Sequence, residues 1–337
     1  VTPEDICYIL YTSGSTATPK GVMLAHKGVI ENGFDIGERQ HLTESDRLWL
    51  AVPLFWSFGS ANALPAIMTH GGTIVLQESF EPEQAISIIE SEGCTVFYGM
   101  ANMARAIKAH HRWSAKAVKS IRTGLTIGLP EDVAFIVEAL GADELCNVYG
   151  STETYGNATV CDAFDPLEQR LHSQGLPLPG MTIKIFDRDS RESLPVGVVG
   201  EIAIKGYVMS GYYLEPDMTA TAFHDGYFLS GDLGYLDEDG RLYFRGRFKE
   251  MIKTGGINVA PLEVEGVLVK HSKIKQAYVV GIDDPIKEEK VVAVVVYEEG
   301  EQESEKDLRK FCRGELASYK VPECIIDYQE SNLPLTS

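Results

Sequence analysis

The sequence lacks an apolar run long enough to cross a membrane. Its longest apolar stretch, Val291 to Tyr297, has the length of a β-strand, whereas a membrane-spanning helix needs about 20 apolar residues. The residues after Val1 also lack the basic segment followed by an apolar segment that marks a signal peptide. We therefore expect no membrane span and no secretory signal here, and a start at Val rather than Met is compatible with a chain cut from a longer one.

Positive charge is scarce in this sequence. Thirty Lys and Arg residues stand against 49 Asp and Glu residues, which gives a formal net charge of -19. Proteins that hold nucleic acid or an anionic membrane surface neutralise phosphate groups with surplus Lys and Arg. We therefore expect no nucleic-acid or membrane partner, and any phosphate-binding site has to be local.

The cysteines show no metal-binding pattern. The six of them, at positions 7, 94, 146, 161, 312 and 324, have no CxxC spacing and are not followed by the spaced histidine pair of a zinc site. This argues against a structural zinc site and indicates inert thiols in a reducing, cytoplasmic compartment. A Ser/His/Asp or Cys/His nucleophile pattern is not evident either.

The remaining composition predicts a globular protein of two domains. The chain has 337 residues, of which 44% are apolar, enough for a large core. From Asp5 to about Tyr149, short apolar runs alternate with helical periods, a pattern typical of βα units on a mostly parallel sheet. After Asp165 short strands broken by Gly and Pro predominate, and from Asn258 a helix, two strands, a helix and a last strand are expected.

These patterns predict an α/β fold with a large domain and a small one. The large domain covers residues 1–247, is incomplete at its N-terminus and includes a β-rich subdomain at 165–245. The small domain covers residues 248–337 and is of the α+β type.

The segment YTSGSTATPKGV, from Tyr11 to Val22, has almost nothing apolar to bury and is predicted to be a loop. It follows a strand-like run, Asp5 to Tyr11, and precedes a predicted helix, Met23 to Arg39. Strand, glycine-rich loop and helix in this order direct free N–H groups and a helix N-terminus at an anion. Lys20 adds a positive charge, and hydroxyl donors come from Thr12, Ser13, Ser15, Thr16 and Thr18.

This loop is not a Walker A motif. That motif would require glycine in place of Pro19 and Ser or Thr in place of Gly21. A surface linker is the alternative interpretation, because Ser/Thr/Gly runs often have no other role.

A second polar loop, Tyr149-Gly150-Ser151-Thr152-Glu153, follows the predicted strand Leu145 to Val148. Glycine lets the backbone approach a ligand, the hydroxyl of Thr152 can donate, and Glu153 offers a hard oxygen suited to Mg²⁺. The ring of Tyr149 could stack on a base. The alternative is a solvated loop glutamate.

Two further segments carry charged residues that could bind a ligand. Ser230-Gly231-Asp232 places a carboxylate at a predicted tight turn, where it could bind sugar hydroxyls or merely cap the turn. Arg245 to Gly256 holds four cations within nine positions. We interpret it as a mobile connector beside a bound anion, with a solvated basic face as the alternative.

Four motifs, YTSGSTATPKG, YGSTE, SGDLG and GRFKEMIKTGGINVAPLEVE, occur in this order and spacing. Together they resemble those of the adenylate-forming superfamily, which includes acyl-CoA synthetases, adenylation domains of nonribosomal peptide synthetases and firefly luciferase. GLPLPG and VGEIAIKGYVMSGYY, between these motifs, are also similar to family sequence. The resemblance implies that a carboxylate attacks the α-phosphate of Mg·ATP to give an acyl-AMP and pyrophosphate, after which a thiol, usually that of coenzyme A, takes the acyl group.

The resemblance also implies roles for individual residues. Thr152 would contact the α-phosphate, Glu153 would bind Mg²⁺, and Lys249 would be the hinge of the small domain. Lys20 would reach the β- and γ-phosphates together with Ser13, Ser15 and Thr16. Gly255 and Gly256 would lie where the thiol arm enters. The implied ATP and AMP contacts are Thr12, Ser13, Gly14, Ser15, Thr16, Lys20, Gly128, Tyr149 (against adenine), Gly150, Asp232 (on the ribose) and Arg247.

The acyl group would lie in a pocket without a carboxylate to pair with an amino group. Its candidate residues are Trp56, Ser57, Phe58, Gly99, Met100 and Gly128, and ordinary core is the default interpretation of each taken singly, because small and aromatic residues fill most interiors. We therefore expect a fatty, alicyclic or aryl acid and an acyl-CoA ligase. The alternatives are an amino-acid adenylation domain that loads a carrier protein and a nucleotide-binding fragment without catalysis.

The sequence departs from the family pattern at four points. Ala17 replaces a glycine, Trp56 replaces a common histidine, and the segment before Pro130 lacks a glycine-alanine-proline run, which leaves the adenine contact at Gly128 open. The chain also ends at Ser337, before the position of the family's catalytic lysine. Losing one preorganised charge costs on the order of 10² to 10³ in rate, so we expect weak activity of the chain as given.

Overall fold

A computed structural model describes residues 1–12, 19–254 and 257–329, apart from the side chains of Lys249 and Asn258. The described chain forms two compact units. One consists of Val1–Ser230 and Tyr235–Phe244, and the other of Gly231–Gly234 and the residues from Arg245 onward. Within the described residues, no helix combines the length and the apolar character that crossing a membrane requires.

In the N-terminal segment the order of elements differs from the predicted strand, loop and helix. Strand β1 (Ile6–Thr12) pairs antiparallel with a second strand, β2 (Lys20–Ala25), and helix α1 (His26–Arg39) begins only after it. Val22 and Leu24 are fully buried while Met23 and Ala25 are half-buried, so the side chains alternate with the period of a strand. The polar segment therefore leads into a strand, and the helix predicted to begin at Met23 begins at His26.

A sheet of seven strands forms the centre of the first unit, in the order β4-β3-β5-β6-β7-β8-β9. Strands β3 to β7 are parallel, and β8 and β9 are antiparallel. The strands are β3 (Arg47–Leu50), β4 (Thr73–Leu76), β5 (Val96–Tyr98), β6 (Thr123–Thr126), β7 (Glu144–Tyr149), β8 (Thr159–Val160) and β9 (Leu176–Pro177).

Helices cover both faces of this sheet. Leu48 and Leu50 of β3 belong to one hydrophobic core, and Trp49 between them belongs to the other, as expected for a parallel sheet buried on both sides. The helices are a π-helix (Phe58–Ala63), α2 (Leu64–Thr69), α3 (Pro82–Glu92), α4 (Ala101–Ala109), α5 (Pro130–Leu140) and α6 (Leu167–His172). The predicted α/β class with βα units is thereby confirmed.

The hairpin of β1 and β2 is not part of the seven-stranded sheet. It belongs to a three-stranded antiparallel sheet whose third strand is β12 (Gly211–Tyr212). The strand before the polar segment was expected in the parallel sheet, because the predicted βα units begin at Asp5, and this expectation is wrong.

A five-stranded sheet contains most of the region predicted to be β-rich. Its strands run in the order β10-β11-β14-β13, with a further strand, β15, beside β14. Their bounds are β10 (Thr182–Phe186), β11 (Gly200–Lys205), β13 (Phe223–His224), β14 (Tyr227–Leu236) and β15 (Leu242–Arg247), and helix α7 (Pro216–Thr221) precedes β13.

Asp232 lies inside β14 and not at a tight turn as predicted. Gly231 has a φ of +75°, a left-handed conformation that glycine adopts without strain. The glycine bends the backbone while the strand continues on both sides of it, so the turn signal in the sequence marks an irregularity within a long strand.

The second unit has its own sheet and core. The sheet order is β17-β16-β19-β18, and β20 pairs parallel with β19. Its elements are β16 (Ile252–Thr254), β17 (Ile257–Val259), α8 (Pro261–Leu268), β18 (Ile274–Asp284), β19 (Glu288–Tyr297), α9 (Glu305–Glu315) and β20 (Cys324–Asp327). Val264 and Leu268 of α8 and Leu308 and Cys312 of α9 belong to its core, and the predicted α+β character is confirmed.

The described part of the basic segment after Arg245 is more regular than a mobile connector. Strand β15 continues to Arg247, a 3₁₀ turn spans Phe248–Glu250, and β16 follows at Ile252. Its backbone groups pair with other strands, for example Lys253 with Asn258, because β16 lies inside a sheet.

Candidate active site

Loops after four neighbouring strands bring predicted site residues to one edge of the seven-stranded sheet. Because β3, β5, β6 and β7 are parallel and adjacent, their carboxyl ends meet at the same edge, where ligands of such sheets bind. The residues concerned are Trp56, Ser57 and Phe58 after β3, Gly99 and Met100 after β5, Gly128 after β6, and Tyr149 and Gly150 at the end of β7. The predicted position of the Tyr149 loop beyond a parallel strand is confirmed.

Thr152 and Glu153 lie on a 3₁₀ turn, Thr152–Thr154, that follows β7. The hydroxyl of Thr152 donates a hydrogen bond to Ser57 Oγ at 3.1 Å. Thr152, assigned to the α-phosphate, is thus in direct contact with Ser57, assigned to the acyl pocket. A reaction between a carboxylate and the α-phosphate would require these two parts of the site to be adjacent.

A tyrosine that the sequence interpretation did not select, Tyr212, contacts both Glu153 and Lys20. Its hydroxyl donates to Glu153 Oε1 at 2.9 Å, and Lys20 Nζ lies 5.3 Å from the centroid of its ring. The side chain is only 7% exposed. Burial, the charge of Glu153 and the hydrogen bond to it raise the pKa of the Tyr212 phenol, so the hydroxyl stays protonated and available as a donor.

Backbone hydrogen bonds connect the same three parts of the chain. The Met209 N–H donates to the Glu153 carbonyl at 2.7 Å, and the Tyr213 N–H donates to the Gly21 carbonyl at 2.7 Å. Tyr212 lies opposite Val22 in the sheet register. The segment 209–213 therefore joins the Glu153 turn to the strand that carries Lys20.

The junction of β2 and α1 is attached to the loop that follows Glu153. The Ala25 N–H donates to the hydroxyl of Tyr155 at 3.0 Å, and Asn32 Nδ2 donates to the Asn157 carbonyl at 2.9 Å. A Cβ on Gly28 would lie 2.2 Å from Cζ of Tyr155. Only a glycine lets α1 approach the ring this closely, so Gly28 sets the separation between the two segments.

Tyr149 and Gly150 are packed into the first unit. The Tyr149 ring is buried and stacks on Phe244 with ring centroids 5.8 Å apart. A Cβ on Gly150 would lie 2.2 Å from the Gly156 carbonyl oxygen. The structure thus gives both residues a packing role, and their assignment to adenine and AMP stays a prediction.

The candidate acyl-pocket residues divide into exposed and buried ones. Trp56 is 49% exposed, with Phe55 at 6.1 Å between ring centroids. Phe58 is buried against Tyr98 at 5.3 Å, and a Cβ on Gly99 would meet the Phe97 ring at 2.7 Å. The exposed Trp56 is accordingly the better candidate for a ligand contact.

Met100 and Gly128 lie at the starts of helices that follow the sheet strands. Met100 is half-buried and precedes α4. A Cβ on Gly128 would lie 3.0 Å from the Asp132 Cβ, so the glycine allows the loop after β6 to lie close to α5.

In the second unit, Asp232 and Arg247 form an ion pair. Asp232 is buried, Arg247 has a side chain that is 67% exposed, and Nε lies 3.5 Å from Oδ1. The two residues assigned to the ribose are therefore adjacent. Other predicted residues lie outside the described residues: Ser13, Gly14, Ser15, Thr16, Gly255, Gly256 and the side chain of Lys249, whereas Thr12 pairs with Lys20 in the hairpin.

A divalent cation at Glu153 would have one carboxylate ligand from the described residues. In the described ranges, no group of three or more His, Cys, Asp and Glu side chains is arranged to hold a metal ion. Mg²⁺ usually takes one or two carboxylates and completes its shell with waters and substrate phosphates. Glu153 accepts a hydrogen bond from Tyr212 at Oε1, and its Oε2 has no hydrogen-bond partner among the described residues. It fits that requirement.

Comparisons with known families match nearly the whole chain. The family described as AMP-binding enzyme matches residues 1–213, and the C-terminal domain of AMP-binding enzymes matches residues 263–337. YngI of Bacillus subtilis (strain 168), provisionally named an acyl-CoA synthetase, is 34% identical over 328 residues, which cover 96% of this chain and 60% of YngI. The chain thus spans about 60% of the length of this curated relative.

Solved structures show the same fold. ATP-bound MatB from Rhodopseudomonas palustris superposes with a TM-score of 0.90 at 28% identity, over 98% of this chain and 65% of MatB. The o-succinylbenzoate coenzyme A synthetase MenE from Bacillus subtilis, in complex with ATP and a magnesium ion, has a TM-score of 0.84 at 30% identity, over 97% of this chain and 67% of MenE.

Proposed function

The chain belongs to the family of AMP-binding enzymes, and from this membership we propose that its protein is an AMP-forming acyl-CoA ligase. It would activate a carboxylic acid with ATP to an acyl-AMP and transfer the acyl group to coenzyme A. The observation that carries the proposal is the convergence of Lys20 and Glu153 on Tyr212, since these are the residues assigned to the outer phosphates and to Mg²⁺. The neighbours solved with ATP and with ATP and magnesium support it.

The described residues supply positioning and charge for nucleotidyl transfer. Lys20 would neutralise charge on the β- and γ-phosphates, Thr152 would donate to the α-phosphate, and Glu153 would hold the magnesium ion. Bound Mg²⁺ would offset the negative charge of the phosphates. Preorganised charge and orientation are what such a reaction mainly requires of a protein, so no nucleophilic side chain is needed.

We assign the acid to the fatty, alicyclic or aryl class. Trp56, Phe55 and Ile127 are exposed apolar side chains on the loops after β3 and β6, which is the edge where Thr152 lies. The roles of Gly255 and Gly256 toward coenzyme A, of Lys249 as a hinge, and of Asp232 and Arg247 toward the ribose stay predictions of the resemblance.

We further propose a reducing, cytoplasmic location. All six cysteines lie in the described residues and are unpaired. Burial raises the pKa of Cys94, Cys161 and Cys312 to about 11, so these thiols stay protonated and unreactive at neutral pH. Cell fractionation followed by immunoblotting tests the location.

Product analysis tests the proposed reaction. The full reading frame that contains this chain is incubated with Mg·ATP, coenzyme A and a panel of carboxylic acids, and AMP is separated from ADP. We expect acid-dependent AMP and pyrophosphate, with Lys20→Met slower by on the order of 10² to 10³. The exposed Lys27 provides the matched control, because Lys27→Met removes the same charge on the next helix and should leave the rate near that of the parent.

The same assay separates the alternatives. Hydroxylamine reacts with an acyl-AMP to give a hydroxamate, before any transfer to a thiol. If hydroxamate forms from amino acids and not from fatty or aryl acids, the result favours an adenylation domain that loads a carrier protein. ADP as the product, or ATP binding with no acid-dependent turnover, would refute the ligase and leave a nucleotide-binding role.

A further inference from the structure

We propose that Tyr212 is a positioning residue that orients the Glu153 carboxylate toward a nucleotide-bound divalent cation and holds Lys20 apart from it. This inference rests on the proposed function, because it concerns the same nucleotide site. It assigns a role to a residue that lies 59 positions from Glu153 in sequence and outside the two loops to which the motifs pointed.

The backbone places Tyr212 between the two groups. Tyr212 faces Val22 across the antiparallel pair of β12 and β2, and Lys20 lies two residues before Val22. Side chains two positions apart on a strand share a face, and diagonal neighbours on paired strands are within reach of aromatic side chains. The ring of Tyr212 therefore lies beneath the Lys20 side chain, with Nζ 5.3 Å from its centroid.

The other end of Tyr212 fixes the carboxylate. The hydroxyl donates to Glu153 Oε1 at 2.9 Å, while the neighbouring Met209 N–H donates to the Glu153 carbonyl at 2.7 Å. Both the backbone and the side chain of Glu153 are thus bonded to the same short segment. A hydrogen bond from an outer partner to a ligating carboxylate sets its orientation and supports metal affinity.

The ring also separates two opposite charges. Lys20 and Glu153 form no ion pair with each other in the described part of the chain, although both contact Tyr212. A direct pair would neutralise both groups before a nucleotide arrived. With the ring between them, the ammonium group interacts with an aromatic face, which is a weak attraction that phosphate can replace, and the carboxylate remains available to a cation.

Binding of Mn²⁺ provides a test that does not depend on turnover. Free Mn²⁺ is measured by electron paramagnetic resonance in the presence of protein and a non-hydrolysable ATP analogue, for the parent and for Tyr212→Phe. The variant keeps the ring and loses the hydroxyl, so we expect Mn²⁺ affinity to fall by about 10- to 100-fold. Affinity for the analogue without metal, measured by calorimetry, should stay within about two-fold of the parent because the Lys20 contact remains.

A matched control lies next in the sequence. Tyr213 is exposed, and its backbone N–H donates to the Gly21 carbonyl, so Tyr213→Phe removes a hydroxyl at the residue next to β12 without affecting Glu153. We expect parental Mn²⁺ affinity. Tyr212→Leu also removes the ring, and should in addition weaken metal-free binding of the analogue by about two- to five-fold because the ring no longer positions the Lys20 ammonium group for the phosphates.

The outcomes separate this inference from the proposed function. If the parent binds Mn²⁺ with the analogue, Glu153→Gln weakens that binding, and Tyr212→Phe matches the parent, the role of Tyr212 is refuted and the nucleotide site stands. If the parent binds no Mn²⁺ with the analogue, both proposals fail. Unfolding midpoints of all variants establish that each one is folded under the assay conditions.

Discussion

Asp35, on helix α1, is a carboxyl group in an unfavourable environment for its charge. Burial and the nearby negative charge of Glu31 raise its pKa to about 6, and Glu38 adds to this effect while Arg39 opposes it. An unfolded chain has an aspartate pKa of about 3.9. The folded state therefore binds a proton more tightly than the unfolded state does, and ionisation of Asp35 costs stability.

The sign of this linkage gives a prediction for Asp35→Asn. Between pH 4 and pH 6 the folded state holds the extra proton, so the parent loses stability as the pH rises through this window and stays lower above it. Asparagine does not titrate, so the variant should be more stable than the parent at pH 7.5, by on the order of 1 kcal/mol for a half-buried group partly screened by solvent, and the gain should shrink toward pH 4.

Thermal unfolding at a series of pH values measures this difference. Asp189→Asn removes the same charge at an exposed position and serves as the control. A gain for Asp35→Asn that is equal at pH 4 and pH 7.5 would contradict the titration of Asp35 as its cause.

Helix α1 contains glycines at the positions where neighbouring segments pack closely against it. Three of its glycines, at positions 28, 33 and 37, are buried. A Cβ at these positions would lie 2.2 Å from Tyr155, 2.5 Å from Pro65 and 2.3 Å from His70. Glycine in a helix interior normally costs stability. In α1 this cost is offset because neighbouring segments pack closer to the helix than a side chain at these positions would allow.

Two glycine-to-alanine changes should therefore have opposite signs. Gly28→Ala would force the Tyr155 ring or the helix to move, and overpacking of this kind costs about 1–3 kcal/mol. Gly266→Ala in helix α8 meets no atom within 4 Å and should stabilise its unit by about 0.5–1 kcal/mol. Denaturant unfolding followed by local probes in each unit gives both values, and a stabilising Gly28→Ala would disprove the packing argument.

At the scale of the whole molecule, the two units have separate hydrophobic cores. Leu125 of β6 belongs to a core of the first unit, and Leu268 of α8 belongs to the core of the second. Both side chains are fully buried. A cavity made in one core removes contacts only from residues of that core, so its effect should be confined to one unit.

Hydrogen exchange measured by mass spectrometry tests this confinement. Leu268→Ala should cost about 2–5 kcal/mol in the second unit and speed exchange in β18 and β19, with β6 and β7 unchanged. Leu125→Ala should show the reverse pattern. Faster exchange in both units for either variant would mean that they unfold together.

Much of the fold was predictable because local patterns of apolar and polar residues determine where its strands and helices form. The alternation of strands and helices from Asp5 to about Tyr149 is predictable from the sequence, because apolar runs of strand length and helical periods alternate clearly there, for example in the strand Thr73–Leu76 and the helix Pro82–Glu92. The end of strand β2, from Met23 to Ala25, was predicted as the start of a helix because this short apolar run suits either element. Pairing with β1 and β12 decides in favour of the strand.

By itself, the sequence determined the α/β class, the family and the segment after β7 that carries Glu153, because these depend on local periodicity and on motifs of contiguous residues. Only the tertiary structure decided that Asp232 lies within a strand, that Tyr149 is a buried core residue, and that Tyr212 joins Lys20 to Glu153. The physical reason is distance along the chain: a tyrosine at a strand end has no local signature of its partners, and pairing of β12 with β2 brings these side chains together.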